Sequence, residues 1–280
     1  MVPELRPRGI GEILDAAVGL YRARFGRLVL AALAVAIPVQ VLNTLVLLSA
    51  VPDQWNVSFT GQATPQYNNA LVQLAGQLVV VFIGWTSTAL ATALCARWCA
   101  ETYLGRATDD PAPALPRRPV LVLVGASLLV ALCDLAGFAA CGIGYLASIT
   151  LLAVAMPALV VERTGAPRSI GRSVQLTSRN LLRVLGLVIT VQLLASVVNV
   201  GLGSVAAIAL GVGTNSAAYV VTLGVTNALT LALTQPLVAA SLVVLYFDLR
   251  IRNEAFDVQL LMQRSDARHG AAQPTVAAAT

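Results

Sequence analysis

The chain has 280 residues, of which 58% are hydrophobic and 11% charged, with a mean hydropathy of +0.80. Soluble domains carry roughly 25% charge. Less than half that fraction excludes a water-soluble globular fold. The 18 basic residues are all Arg and face 13 acids, for a net charge of +5.

The elements follow in chain order. Ile10, Ile13, Leu14, Ala17, Tyr21 and Phe25 recur at steps of three and four, the mark of one helical stripe. Glu12, Asp15 and Arg22 fall on the other side, so the spacing predicts an amphipathic helix over 9–26. A membrane helix needs ~20 apolar residues, because a 1.5 Å rise must cross ~30 Å of hydrocarbon. Charge-free stretches place the first two spans at 28–50 and 70–96, separated by the polar run VPDQWNVSFTGQATPQYNN. From Pro119 to Val161 only Asp134 is charged, and this length suits two spans, 119–139 and 143–161. A tight turn near Cys141 and Gly142 joins them.

Pro167 suits a first helical position and opens a second amphipathic helix, 167–183. The uncharged run from Arg183 to Asp248 divides at GVGTNS into spans 184–210 and 217–247. The last span continues without Pro or Gly as a helical extension over 248–264. Within it, Asp248 with Arg252 and Arg250 with Glu254 have i,i+4 spacing and pair on a helix surface. The tail 265–280 is rich in Ala, Gln, Pro and Thr and reads as disordered. The fold class is therefore all-α: a polytopic integral membrane protein with six transmembrane helices plus cytoplasmic amphipathic interfacial helices. Residues 1–264 form a single membrane domain.

The arginines set the orientation. All 18 lie in the N-terminal segment, the 97–118 and 162–183 segments and the C-terminal segment. The three alternate loops hold none. The positive-inside rule puts both termini in the cytoplasm of an inner-membrane protein. The first 27 residues hold no apolar core and cleavage site of a signal peptide.

Arg168, Arg172, Arg179 and Arg183 occupy one helical strip about 60° wide, opposite Ile170, Val174, Thr177 and Leu181. Such a helix sinks its apolar face into the headgroup boundary and turns its Arg to anionic headgroups. With Arg22, Arg24, Arg250 and Arg252 they form the candidate surface for anionic lipids or a protein partner. The other reading is that they only anchor topology or pair with acids of neighbouring segments. Aromatic residues hardly interleave with them, so nucleic acid is not an expected partner.

Inside the membrane, Asp134 is the one acid in an apolar stretch. Intramembrane charges are costly and often functional. Asn43, Gln192, Asn199, Asn227 and Gln235 are neutral polar residues within spans. They either line a polar cavity with Asp134 or tie helices together by hydrogen bonds. Pro38, Pro157 and Pro236 are expected to kink three spans. Cys95, Cys99, Cys133 and Cys141 read as small apolar filler, with no metal or cofactor expected.

Three stretches carry a family resemblance: RPRGIGEILDAAVGLYRARFGRL, RSIGRSVQLTSRNLLRVLG at 168–186 and QPLVAASLVVLYFDLRIRNEAFDVQLL at 235–261. They resemble the membrane domain of glycerophosphoryl diester phosphodiesterase-like proteins, in order and over nearly the whole chain. The resemblance implies a polytopic bacterial membrane domain with cytoplasmic amphipathic segments. It does not imply phosphodiesterase activity, which belongs to a separate barrel using two His and several carboxylates around a metal. The lone His269 sits in the tail, and no segment is free to form a barrel.

The sequence therefore points to a non-catalytic membrane scaffold that binds lipids or envelope proteins, or assembles as a homo-oligomer. The alternative is a small transporter or exporter with a polar cavity and Asp134 as coupling site. An intramembrane enzyme ranks last, because no nucleophile–base pair can be named.

Overall fold

A computed structural model describes residues 9–48, 55–57, 63–65, 70–103, 117–139, 143–162, 164–210 and 217–254. Nine helices run α1 Ile10–Ala23, α2 Phe25–Leu48, α3 Ala70–Tyr103, α4 Arg117–Ala139, α5 Ile143–Leu151, α6 Ala155–Glu162, α7 Ala166–Thr177, α8 Leu181–Leu210 and α9 Ala217–Glu254 among the described residues. A small antiparallel ribbon, β1 Trp55–Val57 with β2 Ala63–Pro65, lies between α2 and α3, with Asn56 opposite Thr64. Six helical stretches are long and apolar enough to cross a membrane: Phe25–Val46, Leu74–Tyr103, Leu121–Ala139, Gly144–Glu162, Ala166–Ala206 and Ala218–Glu254. The protein is an all-α multi-pass membrane protein. The expected turn at Cys141 and Gly142, the break at 211–216, residues 255–264 and the tail lie outside the described residues.

Local chemistry explains the elements. The backbone N–H of Gly9 donates to Glu12 Oε2 at 2.9 Å, which caps the first turn of α1. Ile13, Ala17 and Leu20 are its buried face. At ~1.5 Å per residue, the 34 residues of α3 and 38 of α9 exceed the ~30 Å of hydrocarbon, so both helices run past it. The fourth span is not one helix. It divides into α5 and α6 around turn residues 152–154. Pro157 has no N–H to give the Ala153 carbonyl, and its ring crowds that turn. By contrast, α2 and α9 continue through Pro38 and Pro236.

The core centres on the second half of α9. From Ala239 to Leu249 every residue but Leu242 is buried, and α1, α2, α3, α6, α7 and α8 all pack against this helix. A helix that is buried all round belongs at the axis of a bundle. Its neighbours supply small residues, among them Ala32, Ala96, Cys99, Ala100 and Ala158, which let backbones approach closely. The outer surface is the reverse: Leu30, Leu121, Leu182, Val197 and Ile208 are all more than half exposed. In water such a surface would be an aggregation hazard; lipid makes it neutral.

The residues expected to form a separate amphipathic helix over 167–183 do not stand alone. Only the 3₁₀ turn at Ser178–Asn180 separates α7 from α8, which begins at Leu181. The expected face is buried only in part: Thr177 is buried and Ile170 packs against the core, but the buried side extends to residues not expected there. Ser169, Ser173, Leu176 and Thr177 are buried, whereas Val174 and Leu181 are exposed. The reason is the broken fourth span. Ser173 Oγ donates to the Leu151 carbonyl at 2.6 Å, while Thr177 Oγ1 donates to the Ser173 carbonyl at 2.8 Å and lies 3.3 Å from the Leu151 oxygen. Small hydroxylated residues thus satisfy an exposed helix end, a role that an apolar stripe cannot fill.

The α4–α5 hairpin closes on glycine. A Cβ at Gly137 would lie 2.7 Å from the Gly144 carbonyl oxygen, a backbone atom that cannot swing away. Gly137→Ala is therefore expected to lower stability by about 1–3 kcal/mol, the usual range for overpacking. Denaturant titration of the purified protein in detergent measures it, and Gly125→Ala, which meets no atom within 4 Å, serves as the neutral control.

Candidate functional site: an ion-paired collar and an intramembrane cavity

The two candidate regions foreseen in the sequence, the Arg-bearing face and the intramembrane polar residues, occupy different places. Around the C-terminal half of α9 the Arg-bearing segments converge. Arg172 of α7 donates from Nε to Glu162 Oε1 at 2.8 Å and from Nη2 to Glu254 Oε2 at 2.7 Å. Tyr246 OH donates to the same Glu162 oxygen at 2.7 Å. Arg250 Nε reaches Glu254 at 3.2 Å, and its Nη1 lies 3.4 Å from Tyr246 OH. Asp248, 2% exposed, accepts from Arg252 Nε at 3.0 Å and faces Arg183 Nη2 at 3.2 Å. Asn253 Nδ2 donates to the Leu176 carbonyl at 2.9 Å. Together these contacts tie α6, α7, α8 and α9 into a collar. The α1 helix joins them by packing Ile13, Ala17 and Leu20 into the same core. The Tyr21 hydroxyl donates to the Leu233 carbonyl at 3.1 Å.

This geometry divides the expected Arg surface. Arg172, Arg183, Arg250 and Arg252 turn to acids of the protein itself. Arg22, Arg168 and Arg179 are exposed and Arg24 is half-buried, and none of these four makes an ion pair among the described residues. The i,i+4 pairs of α9 were legible in the sequence. The α7 pairs were not, because Glu162 and Glu254 lie 10 and 82 residues from Arg172.

The polar residues of the spans also divide. Asp134, Gln192 and Gln235 line one cavity of ≈ 140 Å³, whereas Asn43, Asn199 and Asn227 are absent from its lining. The cavity lies among α3, α4, α5, α6, α8 and α9. Trp85, Thr88, Thr92, Ala153 and Met156 contribute to it. Asp134 accepts a 2.5 Å hydrogen bond from Ser148 Oγ across the α4–α5 hairpin. Thr88 and Thr92 donate their hydroxyl protons to the carbonyls of Trp85 and Thr88, at 2.9 and 2.8 Å. Gln235 is 7% exposed, and its Oε1 has no hydrogen-bond partner. The Oδ1 of Asn43 is likewise buried without one, away from the cavity.

Cys95 and Cys99 are buried among the apolar residues around α9, and Cys95 Sγ reaches the Leu28 carbonyl at 3.7 Å. Cys133 is half-buried, and Cys141 lies outside the described residues. Among the described residues, no three His, Cys, Asp or Glu side chains come together as a metal site. No family model, curated protein or solved structure matches the chain.

The two kinds of Arg are expected to behave differently on substitution. Arg172→Gln leaves Glu162 and Glu254 facing each other without their shared cation. With these side chains about a fifth to a quarter exposed, the loss is about 1–2 kcal/mol after solvent screening. Arg168→Gln should stay within about 0.5 kcal/mol of wild type, as exposed substitutions usually do. Thermal unfolding of both variants in the same detergent distinguishes them.

Proposed function

We propose that the chain is a non-catalytic multi-pass protein of a bacterial inner membrane, with both termini in the cytoplasm. In this reading it is a scaffold within an envelope assembly and holds anionic lipid headgroups at its Arg-bearing face. The observation that carries the reading is the contrast within that face. Internal acids take up Arg172 and Arg183 and hold α7 and the start of α8 in place, while Arg168 and Arg179 of the same segment, and Arg22 of α1, are exposed and make no ion pair among the described residues. A rigid helix with outward guanidinium groups suits headgroup phosphates, which accept from the Arg fork. The α1 and α7 helices then act as amphipathic interfacial segments that use protein, as well as lipid, to cover their apolar sides. The resemblance to the membrane domain of glycerophosphoryl diester phosphodiesterase-like proteins supports the bacterial membrane assignment.

The triple variant Arg22→Gln, Arg168→Gln, Arg179→Gln tests it. Each Arg near an anionic surface is worth about 1 kcal/mol. Retention of phosphatidylglycerol by the purified protein should therefore weaken on the order of a hundredfold, with the thermal midpoint unchanged. Equal retention by the triple variant and wild type would refute the lipid role. Orientation has its own test. A cysteine introduced at Gln62 should react with an impermeant maleimide from outside intact cells, and one at Ala112 should not. The reverse pattern refutes the orientation.

A second reading, a small transporter or exporter, is favoured by the cavity that Asp134, Gln192 and Gln235 share. Discontinuous helices beside midplane polar residues are how many transporters build a binding site, and the α5–α6 break contributes Leu152 and Ala153 to this one.

A further inference from the structure

The cavity has a chemical bias that none of its residues shows alone. Its polar lining consists of Asp134, Gln192, Gln235, Thr88 and Thr92, and no Arg or His takes part. Asp134 brings a carboxylate into an apolar surrounding, where an uncompensated charge is costly. Its described side-chain partner, Ser148, is neutral. The two threonines have spent their protons on backbone carbonyls, so they offer lone pairs only. Gln235 Oε1 is an acceptor without a donor, on a side chain more than nine-tenths buried. Leaving such a group unpaired costs about 1–3 kcal/mol. The Ala153 carbonyl lacks its helical donor, because residue 157 is proline.

All of these groups can accept, the two glutamine amides can also donate, and one is a carboxyl group that a cationic partner would hold ionised. The remaining walls are apolar: Trp85, Val130, Ile149, Val188, Val238 and Leu242. The space is small and partly open. At ≈ 140 Å³ the space equals about five waters of bulk liquid. It is well below the ~300 Å³ at which drug-sized pockets begin.

We propose that this cavity is a binding site for a small organic cation, a primary ammonium with a short apolar body. The ammonium supplies the donors and the single positive charge that Asp134 and Gln235 lack, and the apolar body meets the aliphatic wall. Asp134 fixes the sign of the ligand, and Gln235 selects for N–H donors. The site rests on the cavity alone. It stands or falls separately from the Arg face, and it requires binding but not transport.

The test uses the full chain in nanodiscs, with n-butylammonium as probe and protein-free nanodiscs as the partition control. Competition with butyrate reads charge selectivity, and competition with tetramethylammonium, which has the charge but no N–H, reads the donor requirement. Binding of n-butylammonium should be saturable. It should weaken at least tenfold in Asp134→Asn and several-fold in Gln235→Met, with tetramethylammonium a weaker competitor and butyrate none. Asn at position 134 still accepts from Ser148, and Met at position 235 keeps the side-chain length. The thermal midpoints of both variants confirm folding, and the Gln235 variant carries the test if the Asp134 variant does not fold. Three results overturn the proposal: no saturable binding above the protein-free control, affinity unchanged in the folded variants, or butyrate competing as well as the ammonium.

Discussion

A carboxylate with 2% exposure cannot be left alone in a membrane protein, and Asp248 is such a carboxylate. Removing a charge from water costs several kcal/mol, which only close opposite charges and hydrogen bonds offset. Arg252 from its own helix and Arg183 from the neighbouring one supply them. One turn and a half further along α9, Glu254 receives Arg172 and Arg250. These constraints fix the register of α7 and α8 against α9. Apolar packing alone would not, since lipid solvates an aliphatic side chain about as well as a helix neighbour does. The remainder of the architecture follows from that docking. Once α7 is held at Glu162 and Glu254, its Ser173 and Thr177 meet the open carbonyl of Leu151. The fourth span can then break at Pro157 without leaving that oxygen unsatisfied.

The break in turn shapes the interior. A straight fourth span would present a closed wall to α8 and α9. Divided into α5 and α6, it contributes Leu152 and Ala153 to a space that also holds Asp134, Gln192 and Gln235. Most hydroxyls in the spans are satisfied by their own helices, as in the ladder of Thr222, Thr226, Thr230 and Thr234. The chemistry of the interior is therefore left to the carboxylate and the amides. The collar and the cavity are two consequences of one arrangement: ion pairs at the end of the bundle permit a discontinuity further in.

The sequence made the spans legible because lipid imposes a long charge-free run, and few other constraints write so plainly. Arg placement and the i,i+4 pairs of α9 were legible for a similar reason, since each is a local rule. The partners of Arg172 and Arg183 were not, because an ion pair between helices depends on which segments meet. The strip of four Arg on 168–183 looked uniform, yet two of them face protein acids and two do not. Thr177 lay on the expected face, but the burial of Ser169 and Ser173 was missed because they are polar, and periodicity arguments look for apolar stripes. Pro157 signalled a kink, but not that α7 would cap it. Among six polar residues proposed for the interior, only contact between distant helices could separate Asp134, Gln192 and Gln235 from Asn43, Asn199 and Asn227. The approach of Gly137 to Gly144 gave no signal beyond two glycines near the junction of two spans.

The central claim is that charge pairing, more than apolar contact, docks α8 on α9. A double-mutant cycle on Arg183→Gln and Asp248→Asn, read by unfolding in lipid nanodiscs, addresses it directly. If the claim holds, the double variant loses less stability than the two single variants together, with a coupling of about 0.5–3 kcal/mol. Strictly additive losses would show that the two side chains do not act on one another and would contradict the account.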